Sequence, residues 1–294
     1  MIEIQFQRKD DAKRLHSFLN QLLDVESSLK YILQNEDSHI VQFQHPTHSK
    51  KEEFLQRMKD ALCQFVMTIK LNDWLKEILI VKYHYCDEVE QQQILDIIHS
   101  VLEGSHAELA VFLPKFSMKN YLMDHINQWF YESKAISFDS FVTFRLRPFI
   151  NELRKYVELS LDEYRMEQEY QMFIQILREF LKNREPKFEQ LHLLFANDEI
   201  TFFDQDFSEI RRSELSKMVD RKLLINHPIY IDSTTIAPLL SIAPAQIFFY
   251  TVEPEKPIIR TISNIFEERL IIEKPYVFEK LRLEKTSNYN ERLL

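Results

Sequence analysis

The chain has 294 residues, a formal charge of −9 and a single glycine, Gly104, where ordinary usage of about 7% would supply roughly 20. That count excludes the Walker A loop, the dinucleotide fingerprint and the kinase Gly-rich loop, because only a side-chain-free backbone approaches phosphate closely, and it removes the glycine-flanked serine nucleophile elbow as well. The acidity opposes broad attraction to nucleic acid or anionic lipid.

Taken in order, Ile2, Ile4 and Phe6 alternate with polar residues as in a half-buried strand, and Asp10 or Asp11 caps a helix carrying Leu15, Phe18, Leu19, Leu22 and Leu23. Strand-like runs 29–33 and 39–43 follow, separated by the turn-forming Asn35-Glu36-Asp37-Ser38. From Thr47 the pattern turns helical. Ser49-Lys50-Lys51-Glu52 forms a capping box, and Phe54, Met58, Leu62, Phe65 and Ile69 repeat at helical spacing. A further helix is expected to start at Asn72 or Asp73. Another spans Glu88 to Leu102 and stops at Gly104, where a left-handed residue ends helices well. Two or three more helices run from Met118 to Lys182, and Asn183-Arg184-Glu185-Pro186 closes the block. Beyond it, Leu191–Phe195 and Ile200–Phe203 predict a hairpin across Asn197-Asp198. Ser213–Lys222 predicts a short helix, and Asp232 precedes another from Thr234 to Ile242. Gln246–Tyr250 is a buried strand, Pro257–Glu268 a helix and Leu270–Ile272 a strand. The polar last dozen residues are expected to fray. The fold class is therefore mixed α/β, predominantly helical, in three parts: an N-terminal β-α-β-β unit (1–46), a central helical region (47–184) and a small C-terminal α/β unit (185–294).

Ser233 to Val252 is uncharged for about the ~20 residues of a membrane span, but Pro238 and Pro244 interrupt it, so it is read as buried helix, turn and strand. Only Cys63 and Cys86 are present, too few for a disulfide framework, and the N-terminus reaches Arg8-Lys9-Asp10-Asp11 at once, unlike a signal peptide. A cytoplasmic protein with no membrane span is expected.

Three constellations carry chemistry. Arg145 and Arg147 lie among Phe141, Val142, Phe144, Leu146 and Phe149, where a guanidinium needs a partner. That partner is either a carboxylate such as Glu163 or Glu169, closing a buried ion pair, or an anionic ligand, with Glu163, Glu167 or Glu169 as acid/base groups or cation ligands. Tyr83 to Pro114 holds six acids, Asp87, Glu88, Glu90, Asp96, Glu103 and Glu108, and no Lys or Arg; it is a solvated helix face or a docking surface for a basic protein partner. His45-Pro46-Thr47-His48 and Tyr83-His84-Tyr85-Cys86 contain metal-ligating side chains without zinc-site spacing, and Cys63 falls in an apolar stripe, so neither a metal, a cofactor nor a catalytic residue is assigned. No basic stripe suggests nucleic-acid binding.

Phe141–Leu146, Val157–Leu177, Leu239–Ile247 and Ile262–Arg269 resemble the YtxC-like family, linked to sporulation in endospore-forming bacteria, over roughly residues 126–272. Many of its members carry a cysteine-containing tail where this chain has Ile271-Ile272-Glu273-Lys274-Pro275-Tyr276, so any metal or redox role of that tail does not transfer. The resemblance implies a sporulation-associated cytoplasmic protein and supplies no catalytic residues. Together with the acidic stretch it favours action through protein–protein contacts; the alternative is an enzyme or ligand-binding protein recognising an anion through Arg145 and Arg147.

Overall fold

A computed structural model describes residues 2–22, 32–33, 39–44, 51–113, 116–132, 135–182, 184–220 and 234–291. Part of the 29–33 run, the 35–38 turn, Ser49 and Lys50 of the capping box, His45–His48 and Asp232 lie outside them. The architecture is mixed α/β and predominantly helical, with two four-stranded sheets among the described residues. The chain divides into two compact units, Met1–Met166 and Glu167–Leu294.

In the first unit, β1 (Ile2–Gln5), α1 (Lys9–Leu22), β2 (Ile32–Leu33) and β3 (Ile40–Phe43) are followed by helices α2 (Lys51–Phe65), α3 (Leu71–Tyr83), α4 (Glu88–Leu102), α5 (Ala107–Ala110) and α6 (Met118–Glu132). The sheet order is β2-β3-β1-β4. β1 runs antiparallel to β3, with Ile4 opposite Val41, and parallel to β4 (Ala135–Ser137), with Ile4 opposite Ile136. The sequence places only helices between 118 and 182; β4 escaped it because three residues are too short to show a period and its partner lies far upstream. One core gathers Ile4, Leu15, Leu19, Phe65, Leu75, Ile94, Ile126, Phe149 and Leu153.

Two π-turns reset the phase of helices here. The stripe Phe54, Met58, Leu62, Phe65 is buried as its spacing requires, but Val66–Lys70 is a π-turn. The extra residue in that turn brings Lys70 inward and leaves Ile69 only half-buried. The helix also continues into α3 without the break expected at Asn72 or Asp73. After the short α7 (Phe138–Ser140), a second π-turn, Phe141–Arg145, buries Phe141 and Leu146 five residues apart and turns Phe144 out to solvent.

α8 (Arg147–Lys182) is a single 36-residue helix whose apolar repeat no Gly or internal Pro interrupts, and with α6 and the short α7 it makes up the two or three helices expected between Met118 and Lys182. At the end of α4 the Gly104 N–H donates to Val101 O and the Ser105 N–H to Ser100 O, with Gly104 at φ 80°: a Schellman motif where the sequence locates it.

The second unit contains β5 (Gln190–Ala196), β6 (Glu199–Phe203), α9 (Arg212–Met218), α10 (Ile236–Ile242), β7 (Gln246–Tyr250), α11 (Pro257–Phe266), β8 (Leu270–Glu273) and α12 (Pro275–Glu291). The expected hairpin forms: β5 and β6 pair antiparallel, and Asn197 and Asp198 both take positive φ, as a type I′ turn requires. β5–β7 and β7–β8 are parallel, giving the order β6-β5-β7-β8. Alternation splits the strand side chains between two faces. Leu191, Leu193, Ile247 and Phe249 join the buried residues of α10 and α11 and Ile174, Leu177 and Leu181 of α8, whereas Phe203 and Tyr250 meet Phe278 of α12 on the other. The closing residues, expected to fray, are helical through Glu291; Phe278, fully buried, anchors that helix.

With one glycine in the chain, other residues occupy the left-handed region. His84, Asn197, Asp198, Phe207, Ala243 and Glu267 all have positive φ.

Candidate functional site

The acidic stretch folds into α4 and its flanking turns. Asp87 is the N-cap, its Oδ1 accepting from the Val89 and Glu90 N–H groups at 2.9 and 3.0 Å. Glu88 and Glu90 lie in the first turn, where the helix dipole favours them. Gln91, Ile94, Leu95, Ile98 and Val101 face the core, and Glu88, Gln92, Gln93 and Asp96 face solvent. Helix stability does not account for Glu103, which sits at the C-terminal end, where the dipole disfavours an anion. Among the described residues none of the six carboxylates forms a salt bridge with a cation. Just beyond, Val111 and Phe112 are 80% and 76% exposed. The result is an acidic helix face whose charges are not neutralised internally, followed by exposed apolar side chains.

Arg145 ends the second π-turn, half-buried, its carbonyl accepting from the Tyr121 hydroxyl at 3.3 Å. Arg147 opens α8 and is exposed. Glu163 is on the same helix, 16 residues on from Arg147, so at 1.5 Å per residue the two are about 24 Å apart along the axis. Neither arginine can reach it. Glu169 and Glu167 belong to the second unit; both are exposed, and Glu167 accepts from Gln171 Nε2 at 2.7 Å. The structure thus does not bring Arg145 or Arg147 together with Glu163. Cys63 is buried, which pushes its thiol up from the ordinary range; Cys86 is exposed.

Two polar clusters were missed by sequence reasoning. In the first unit, Lys70 is buried and donates to Asp11 Oδ1 at 2.9 Å, with Asp73 Oδ2 at 3.2 Å; Arg14 holds both oxygens of Asp73 at 2.7 and 3.1 Å. Burial opposes the charge on Asp73, yet the hydrogen bonds from Arg14 and Lys70 prevail and hold its carboxyl below the usual range. A cleft of about 300 Å³ beside this network is lined by Lys13, Arg14, Ser17, Phe18, Gln21 and Ile69. The sequence signal was two cation–carboxylate pairs at i,i+3, Asp11/Arg14 and Lys70/Asp73, but nothing local says that they meet.

In the second unit, His192 on β5 is buried and its Nδ1 shares a 2.9 Å hydrogen bond with the Tyr250 hydroxyl. Phe207 stacks on the imidazole at 4.3 Å between ring centres and Phe248 at 5.2 Å. Burial, reinforced by the Lys285 ammonium, pushes His192 down to about 4; burial, with the Glu273 carboxylate, pushes Tyr250 up to about 12. Both groups are neutral at pH 7. A lone histidine in Leu191-His192-Leu193-Leu194 was the available signal.

The profile of the YtxC-like family matches residues 56–271. The chain belongs to the YtxC-like family. An uncharacterized Bacillus subtilis (strain 168) protein, YtxC, is 36% identical over 213 residues, covering 72% of this chain and 75% of that protein. No solved structure matches. The family region takes in α4, both π-turns, Lys70, Asp73, His192 and Tyr250, and it leaves out Asp11, Arg14 and α12.

Proposed function

We propose that this YtxC-like protein acts in sporulation as a cytoplasmic, partner-binding protein rather than a catalyst, and that its docking face is the acidic surface of α4 with the turn that follows. The observation that carries the reading is the set of solvent-facing carboxylates on α4 without a cation partner among the described residues, beside exposed Val111 and Phe112. A face of this kind suits a basic partner, since unneutralised charge steers association and sets specificity. Cys63 and Cys86 are both free thiols, which suits a cytoplasmic setting, and no described helix is long and apolar enough to cross a membrane.

The test combines capture and genetics in a sporulating host. The tagged chain should retain a basic partner that the variant Asp96→Lys/Glu103→Lys loses, and the variant should lower spore yield as far as gene deletion does. These two positions leave the Asp87 cap untouched. Absence of any partner above background, together with unchanged spore yield on deletion, would overturn the reading.

A further inference from the structure

The two faces of the second unit's sheet are covered very differently. On the inner one, α8, α10 and α11 contribute many buried apolar side chains. The outer one, among the described residues, is covered by α12 and the 204–208 loop, and of the α12 side chains at 275–285 only Phe278 is buried. Tyr276 and Leu283 of that helix are 68% and 67% exposed. A helix held by one anchor loses little burial when it lifts, which is the condition for opening locally while the rest of the fold stays intact.

The anchor sits in a cage of aromatic rings. Between ring centres Phe278 lies 4.8 Å from Phe203, 5.4 Å from Phe207 and 5.2 Å from Tyr250, each contact tilted or edge-on. Its walls come from β6, the loop after it and β7. Phe207 is set in place by that loop: Asp204 Oδ1 accepts from the Asp206 and Ser208 N–H groups, both at 2.9 Å, and Phe207 is held at φ 60°, a costly conformation for a bulky residue. The same ring stacks on His192. None of these loop bonds involves α12, so the cage is built by the sheet and its loop rather than by the side chain that fills it.

Around the cage α12 adds two cations at helical spacing. The Arg282 guanidinium, four residues beyond Phe278, lies over the Phe203 ring at 5.9 Å. The Lys285 ammonium, seven beyond, lies over the Phe207 ring at 5.9 Å, pairs with Asp206 at 2.9 Å and donates to Gln205 O. Phe278, Arg282 and Lys285 thus form the i, i+4, i+7 stripe of a helix laid into a groove. The Lys285–Asp206 pair is exposed on both sides and adds little hold.

We infer that this cage is a docking site for a partner helix of the same pattern, an aromatic anchor with basic residues four and seven positions on, and that α12 is its intramolecular occupant, displaced when such a partner binds. The recognition is that of α12 itself: three rings for the anchor, and ring faces with Asp206 for the cations. It does not depend on the reading of the α4 face.

Amide exchange of the full chain should show α12 opening as one unit, about a hundredfold or more oftener than Leu193 in β5 and Phe249 in β7. A fluorescent peptide with the sequence of residues 275–291 should bind weakly to the unaltered chain, whose own α12 competes at high effective concentration. It should bind about tenfold or more tightly to full-length Phe278→Ala, whose α12 no longer fills the cage. The peptide carrying Phe278→Ala, or Arg282→Glu with Lys285→Glu, should lose that binding. Full-length Lys285→Glu, which keeps the anchor, should fall between the two chains, and it carries the peptide test if Phe278→Ala is unfolded by circular dichroism. The inference is overturned by α12 amides that exchange only in the opening that exposes β5 and β7, by a peptide bound no better to the folded variants than to the unaltered chain, or by binding indifferent to the peptide's own substitutions.

Discussion

The two buried polar clusters solve one problem in opposite ways. Around Lys70 the first unit keeps its groups charged and compensates them, two cations against two carboxylates within 2.7 to 3.7 Å. Around His192 the second unit discharges its groups and lets a neutral hydrogen bond and stacked rings satisfy them. A compensated network is vulnerable to loss of one member, because the survivors are left as buried charge; a neutral pair is vulnerable to pH, because protonation or deprotonation recreates the charge that burial penalises.

Substituting Lys70→Met should give the largest effect. It leaves Asp11 with only the 3.7 Å approach of Arg14 and deprives Asp73 of one of two cations, at a cost of about 3–5 kcal/mol in unfolding free energy measured by urea denaturation. The pH dependence of the second unit comes next. His192 has a folded pKa near 4, below its ordinary 6.5, so as pH falls through that window the unfolded chain takes up a proton that the native chain refuses. Stability is complete above pH 6.5 and falls toward pH 4 by about 3 kcal/mol; His192→Phe should remove that slope. Tyr250, raised to about 12, acts in the opposite direction, since the unfolded phenol ionises first and stability declines above pH 10. Between these limits lies a plateau that the charged network does not confer; Asp73, held low, keeps its contribution until pH falls through the usual carboxylate range. A smaller loss, about 1–2 kcal/mol, is expected for Tyr250→Phe at pH 7, which leaves His192 Nδ1 unpartnered. The least effect, and the only gain, is expected for Ala243→Gly: Ala243 sits at φ 48° after α10, and relieving it should stabilise the chain by about 0.5–1 kcal/mol, read as a rise in Tm.

The comparison also separates what was legible in the sequence. The amphipathic stripes of α2 and α4, the β5–β6 hairpin across Asn197-Asp198 and the helix end at Gly104 follow from local spacing and turn chemistry, and all are present. The π-turns are not written locally: nothing in Val66-Met67-Thr68-Ile69-Lys70 distinguishes it from an α-helical turn until Lys70 is required to meet Asp11 from another element. Strand β4 is fixed by its pairing to β1 rather than by its three residues. Of the partners open to Arg145 and Arg147, a carboxylate or an anionic ligand, Glu163 is set apart because α8 runs unbroken from Arg147 through Glu163 and carries that carboxylate far along the same axis, which local spacing does not reveal.

Scarcity of glycine has a consequence for the chain before it folds. Each residue that carries a Cβ where an average protein has glycine narrows the disordered ensemble, by about 0.4–1 kcal/mol per position. Spread over the roughly 20 glycines that are missing, this lowers the entropy to be surrendered by on the order of 10 kcal/mol. Six left-handed residues without glycine's freedom return about 1–2 kcal/mol each as tension in the folded backbone. The two sums are comparable. Strained turns are tolerable here because the unfolded chain is stiff from the outset, and among the described residues a glycine introduced anywhere but at those six positions should weaken the fold.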